Sequence, residues 1–228
     1  SYTEYPECLN VVADSAGNTL LIKQKNFISC YSPQTGSFLD IHVQGMSEDA
    51  AKVLFVDGER KFFILDSDGY LLEISPDFKS FPITLDIKRT LIHEKKIDCA
   101  YYLDGSLYYV DKEKHIYSYR MKERKKEFLA DLTDWMDKYG KLSRIVLFHS
   151  APYLVFRNGL LLNIDNPEEA LEFDVGVFCV LPDRKQDILW VGTDGQGIQM
   201  YYDKYNLFSG ILLEDLPIVM RNPVRSIY

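Results

Sequence analysis

A chain of 228 residues with a formal net charge of −8 excludes several roles at once. Nucleic acid is not an expected partner, because phosphate binding needs a basic face, and no run of 18 or more apolar residues is present, so no direct membrane insertion by a spanning helix is expected. The 46% hydrophobic and 26% charged composition is that of a globular protein able to bury about 70% of its unfolded surface without metals or disulfides, and 14% aromatics, with 16 Tyr and 13 Phe, favour half-buried β surfaces.

The opening "SYTEYPECLN" does not read as a signal peptide. From there, short apolar segments recur, separated by turn residues. They fall into five groups of four: "CLNVVAD", "TLLIKQ", "FISCYSP", "FLDIHV"; "KVLFVD", "KFFILD", "YLLEISP", "FPITLD"; "CAYYLD", "LYYVDK", "HIYSYRM", "EFLADL"; "RIVLFH", "YLVFRN", "GLLLNID", "LEFDV"; "VFCVLPD", "ILWVGT", "GIQMYYD", "FSGILL". Third-segment anchors at Tyr31, Ile74, Tyr119, Ile164 and Tyr202 are spaced 43, 45, 45 and 38 residues apart. Asp68-Gly69, Asp104-Gly105 and Asn158-Gly159 are strong hairpin signals, since their central residues tolerate positive φ. A period near 40–45 with four strands per unit is the pattern of a β-propeller. The expected fold is therefore all-β, with about five four-stranded blades over residues 5–46, 47–93, 94–141, 142–175 and 176–216. Residues 217–228, ending in "VRSIY", would open a further blade, which makes the chain a piece of a longer propeller array.

One helix is expected, Leu129 to Leu142, capped by Thr133 or Asp131 and ended by Gly140. Leu132, Trp135, Met136 and Tyr139 share one face at i, i+3, i+4, i+7 spacing. It reads as a helix packed on the propeller rim, with a partner-binding knob as the alternative.

The stretch "DILWVGTDGQGIQMYYD" is the most motif-like. Its glycines form G-x-x-G-x-G, not the dinucleotide order, and a strand follows rather than the helix N-terminus that a phosphate loop needs. It therefore reads as strand, glycine turn, strand. "DSDGY", Asp66 to Tyr70, lacks the acids of a calcium loop and reads as a hairpin turn. His42, His93, His115 and His149 show no metal-ligand spacing and read as surface or strand residues. Cys8, Cys30, Cys99 and Cys179 lack any CxxC and read as free, buried thiols. "RMKERKKE", Arg120 to Glu127, sits between a third and a fourth strand and reads as a solvated hairpin tip, with docking of an acidic partner as the alternative. No G-x-S-x-G or triad is present. No catalytic, cofactor-binding or metal-binding residue is assigned, and no cofactor is expected.

"ILWVGTDGQGIQMYYDKYNLF" followed by "NPVRSIY" resembles the repeat of the two-component-regulator propeller family. Leu189, Trp190, Val191, Gly192, Thr193, Gly197, Tyr202, Asp203 and Phe208 match that repeat in order. Trp190, Gly192, Thr193, Gly195, Gly197, Tyr202 and Phe208 are its structural motif: Trp190 supplies buried surface, Gly192 permits close backbone approach, and Thr193 to Gly195 turn the chain. The earlier groups keep the period and a terminal Phe (Phe38, Phe81, Phe128) without the tryptophan-containing core. The resemblance implies a non-catalytic segment of a periplasmic sensor in a hybrid two-component system, which couples oligosaccharide sensing to a histidine kinase elsewhere in the parent chain. The implied partners are the remaining propeller blades and a sandwich domain of that chain, an oligosaccharide, and a second copy of the parent in a homodimer. The alternatives are a self-contained lectin-like propeller and a propeller glycosidase.

Overall fold

The computed structural model describes residues 8–23, 27–44, 51–57, 61–80, 82–148, 151–183, 185–202 and 209–211. The chain divides into two compact units, Ser1–Phe128 and Leu129–Tyr228. Among the described residues there are five four-stranded antiparallel sheets, each in simple meander order. They are β1–β4 (Cys8–Ala13, Thr19–Lys23, Phe27–Ser32, Ser37–His42), β5–β8 (Ala51–Val56, Phe62–Asp66, Tyr70–Asp77, Thr84–Leu91) and β9–β12 (Ile97–Leu103, Ser106–Asp111, His115–Arg120, Lys125–Asp131). The second unit holds β13–β16 (Leu142–Phe148, Ala151–Phe156, Leu160–Asn163, Leu171–Glu172) and β17–β20 (Val177–Asp183, Ile188–Thr193, Ile198–Tyr202, Ser209–Ile211). The fold is an all-β array of propeller-type blades.

The second sheet is apolar on both faces because it is packed on both. On β6, Phe62 and Ile64 join Leu20, Ile22, Ile28 and Cys30 of the first sheet in one core. Their neighbours Phe63 and Leu65 face the other way, into a core shared with Ile97, Leu107 and Tyr109 of the third sheet. Period-2 alternation thus feeds two cores from one strand. In the second unit Val146, Tyr153 and Val155 of the fourth sheet share one core with Val177, Leu189 and Val191 of the fifth. Within each unit the first strands of successive sheets approach one another, β1 to β5, β5 to β9, and β13 to β17. The first strand of each group is therefore the inner one.

A bulge recurs in every sheet and fixes which residues correspond. Cys8 and Asn10, Ala51 and Val53, Ile97 and Cys99, Leu142 and Arg144, and Val177 and Cys179 each pair with consecutive residues of the second strand, leaving one residue unpaired between them. Such a bulge bends the strand and increases its local twist. The partner of the first residue of each pair is Lys23, Asp66, Asp111, Phe156 and Thr193 respectively. These five positions end the second strands and define one register through the whole chain.

Two local expectations change. The helix α1 runs only from Thr133 to Tyr139, because Leu129–Asp131 continue β12 and Leu142 opens β13. The cap position is held by Leu132, without a side-chain cap bond, and not by Thr133 or Asp131 as expected; Asp131 Oδ1, one residue earlier, accepts the Thr133 N–H at 2.8 Å, and Gly140 ends the helix at φ +76°. Leu132 and Tyr139 are buried, whereas Trp135 and Met136 are half-buried. The fourth anchor, Ile164, lies one residue past β15, with its N–H donated to Pro152 O at 3.4 Å. His149, Phe81, Asp203, Phe208 and Val224–Tyr228 lie outside the described residues.

Candidate functional site

The repeat motif occupies β18, β19 and the turn between them. Leu189 and Val191 are fully buried, while Trp190 on the opposite face is half-buried, paired between Leu181 and Met200. Gly192 pairs with Cys179 and Ile198. The buried Thr193 donates both its N–H and its hydroxyl to Gly197 O, each at 2.9 Å. Gly195 and Gly197 adopt φ of +83° and +77°, a region that strains any residue with a Cβ. Tyr202 ends β19 opposite Ile188. Among the described residues the motif holds strand, turn and strand together, and no reactive pair is assembled.

The bulge register shows what stands in for this motif elsewhere. Leu107-Tyr108-Tyr109-Val110-Asp111 occupies the place of Leu189-Trp190-Val191-Gly192-Thr193, with the same alternation: position two half-buried, the other four buried. In the second sheet Phe62–Asp66 fills that place and all five are buried. Backbone bonds at the blade junctions agree with this register. Ile97 N donates to Ser67 O at 2.8 Å and Lys112 N to Lys96 O at 2.8 Å; their counterparts are Val177 N to Arg157 O at 3.0 Å and Asp194 N to Gly176 O at 2.8 Å.

At the position of Thr193, Asp66 and Asp111 cap their turns with carboxylates. Asp66 Oδ1 accepts the Asp68 and Tyr70 amides at 3.0 and 2.8 Å, and Oδ2 faces Arg89 Nη2 at 3.4 Å. The Arg89 guanidinium lies over the Tyr70 ring, 3.7 Å from its centroid. Asp111 Oδ1 accepts the Glu113 and His115 amides at 2.9 and 3.0 Å. Its Oδ2 lies 3.4 Å from His93 Nε2 and 3.6 Å from His115 Nδ1. Asp66 and Asp111 side chains are 0% exposed. "DSDGY" is thus a capped hairpin turn, and the two histidines read separately in the sequence are brought together by Asp111.

A second concave feature, a cavity of about 570 Å³ in the first unit, is lined by Val12–Ser15, Phe55–Asp57 and Tyr102. It lies where the inner strands β1 and β5 turn outward, beside β9. Tyr102 stacks on Phe55 with centroids 4.0 Å apart and planes at 13°, and Phe55 stacks in turn on Phe63 at 5.2 Å. Asp14 and Asp57 bring carboxylates to the same wall. Asp14 caps its turn through Ala16 N and Asn18 N at 2.8 and 3.0 Å, and Asp57 Oδ1 accepts Lys61 N at 2.9 Å. Sequence reading singled out none of these residues. The signal present was an Asp at or just past the end of four of the five first strands, at Asp14, Asp57, Asp104 and Asp183.

No family model matches the sequence, and no curated protein matches it. Solved structures do. The extracellular domain of BT4673, assigned to a hybrid two-component system of B. thetaiotaomicron, aligns over 93% of this chain and 28% of its own, with a TM-score of 0.59 at 13% identity. That of BT3049, assigned to another such system of the same organism, aligns over 100% of this chain and 32% of its own, with a TM-score of 0.62 at 12% identity. PorZ, a surface component of the type-IX secretion system of Porphyromonas gingivalis, aligns over 94% and 35%, with a TM-score of 0.63 at 9% identity. These likenesses establish the fold. The chain spans about a third of the length of each of these structures. Among the described residues no helix is long and apolar enough to cross a membrane.

Proposed function

We propose that this chain is a non-catalytic segment of a periplasmic sensor, one stretch of a longer propeller array that couples oligosaccharide binding to a histidine kinase elsewhere in the parent chain. The observation that carries the reading is the fold shared across 93% and 100% of the chain with two extracellular domains of hybrid two-component systems. The repeat at Leu189–Thr193 supports it independently, from sequence.

Oligosaccharide is the ligand class that suits the cavity. A sugar ring presents an apolar C–H face and a rim of hydroxyls. Tyr102, backed by the Phe55–Phe63 stack, offers a rigid surface for the face, and aromatic anchors of this kind cost little conformational entropy. Asp14, Asp57 and Ser15 offer acceptors for the hydroxyls. A glycosidase would instead need one carboxyl kept protonated beside an ionised one. Burial does raise the Asp66 carboxyl, but Asp66 is spent on the β6–β7 turn.

Calorimetric titration of the intact parent ectodomain with a panel of oligosaccharides tests the reading. One class of neutral oligosaccharide is expected to bind without being cleaved, and Asp57→Asn is expected to weaken it several-fold while leaving the fold intact, since Asn keeps the acceptor for Lys61 N. Absence of binding across the panel would refute glycan sensing. Equal affinity for the isolated 228-residue chain would favour the lectin-like reading, and cleavage the glycosidase.

A further inference from the structure

We propose that the β10–β11 turn of the third sheet binds a divalent transition-metal ion of the zinc class, ligated by Asp111 Oδ2, His115 Nδ1 and Glu113, with His93 Nε2 facing the same Asp111 oxygen at 3.4 Å. The inference is independent of the sensor reading and begins from a comparison between two sheets of the same chain. Asp66 and Asp111 occupy one register position and use Oδ1 identically, on the amides two and four residues ahead. In the second sheet a cation, the Arg89 guanidinium, meets Oδ2. In the third sheet, among the described residues, no arginine meets the corresponding oxygen. Two imidazoles and a second carboxylate converge there instead.

The spacing fits an ion. Asp111 Oδ2 is 3.4 Å from His93 Nε2 and 3.6 Å from His115 Nδ1, and His115 Nδ1 is 3.7 Å from Glu113 Oε2. One donor atom each from Asp111, Glu113 and His115 falls within 4.8 Å of the others. Tetrahedral zinc with bonds of about 2.0–2.1 Å holds its donors about 3.3–3.4 Å apart, close to these separations. Mixed imidazole and carboxylate donors are those of zinc rather than of calcium or magnesium, which take oxygens.

The second observation is His93. It is 4% exposed, yet neither ring nitrogen has a hydrogen-bond partner, and neither does Asp111 Oδ2. Buried polar atoms left unpaired are costly, and coordination satisfies Asp111 Oδ2 at the point where His93 Nε2 faces it. The ring is held in place by Tyr109 and Tyr117, with centroids at 5.3 and 4.6 Å. Its backbone is pinned too, since Ile92 N and His93 N both donate to Gly69 O, at 2.9 and 3.3 Å. Lys95 pairs with Glu113 at the surface; both are about half-exposed, and such a pair yields readily, so Glu113 is free to turn inward.

The test uses the full chain, tag removed and stripped of metal, titrated with zinc against a chromogenic chelator. One equivalent is expected to bind, and zinc is expected to raise the melting temperature by mass action. His115→Gln, which leaves the backbone amide that Asp111 accepts, is expected to weaken binding about tenfold or more. Glu113→Gln is expected to weaken it less, and His42→Gln on β4 not at all. Cobalt(II) in place of zinc is expected to give the intense visible absorption of a tetrahedral site. No stoichiometric binding, or an affinity unchanged in His115→Gln, would overturn the proposal; so would loss of binding in His42→Gln.

Discussion

Asp66 closes the β6–β7 turn with a carboxylate that water does not reach. Asp66→Ala strands two amides and leaves Arg89 without its partner, and a loss of about 2–4 kcal/mol is expected in urea denaturation. Asp66→Asn keeps an acceptor for both amides and isolates the charge. Burial raises the Asp66 carboxyl above its ordinary value, against the opposing pull of the Tyr70 and Asp68 amides and Arg89. An acid that holds its proton more tightly folded than unfolded contributes stability below its unfolded pKa, about 3.9, and loses it as pH rises through the folded value. Melting temperatures followed from acid to neutral pH should therefore shift in favour of Asp66→Asn. Wild-type and variant curves that stay parallel would show that the fold does not raise this group. The cysteines follow the same logic of burial. Desolvation pushes Cys30 up to about 12 and Cys99 to about 11, and raises Cys179. Since the thiolate is the reactive form, a Cys8→Ser chain should show no thiol reactive to Ellman's reagent at pH 8 when native, and three in denaturant.

Turns are where the elements were most and least legible. Asp104 and Gly105 take φ of +49° and +78° between β9 and β10, as the Asp-Gly pair announces. Gly69 carries more than its turn. It adopts φ +83°, and a Cβ there would lie 2.0 Å from His93 O, so no side chain fits without moving the strand connection that carries His93. A Cβ at Gly105, by contrast, meets nothing within 4 Å. Gly105→Ala should cost about 1 kcal/mol, the backbone penalty alone, and Gly69→Ala clearly more in the same denaturation experiment. Equal costs would mean that the turn and His93 are not coupled. Strand grouping was readable because period-2 apolar runs end in such turns. The equivalence of the sheets was not, since the register is carried by a bulge and a buried end position filled by Lys23, Asp66, Asp111, Phe156 or Thr193, residues that share a place and not a chemistry. The helix was overextended because Leu129–Asp131 satisfies a helical pattern and a strand pattern alike. The Asp111 cluster was hidden because His93 arrives from a different sheet's exit and the other donors alternate across a turn, a spacing unlike helical ligand motifs.

At the scale of the whole molecule, charge narrows the ligand class proposed for the cavity. The chain carries −8, and the aromatic cavity of the first unit is walled by Asp14 and Asp57 with no lysine or arginine among its lining residues. A carboxylated or sulfated oligosaccharide would approach like charge on every length scale, and burying its anions beside those carboxylates would cost more than the stacking on Tyr102 returns. An uncharged oligosaccharide meets no such opposition, and its hydrogen bonds to carboxylates are short-ranged. These cases separate with salt. At an ionic strength of about 0.01 M the Debye length is about 30 Å and at 1 M about 3 Å, so repulsion of an anionic ligand would be screened and its affinity would rise with salt. The dissociation constant of a neutral ligand is expected to stay within about twofold over that range, measured by titration of the intact ectodomain. Uronic acid-containing or sulfated analogues of the same chain length should bind more weakly, with the gap closing as salt increases. An acidic analogue that binds more tightly at low salt would place recognition at a basic surface elsewhere in the parent protein.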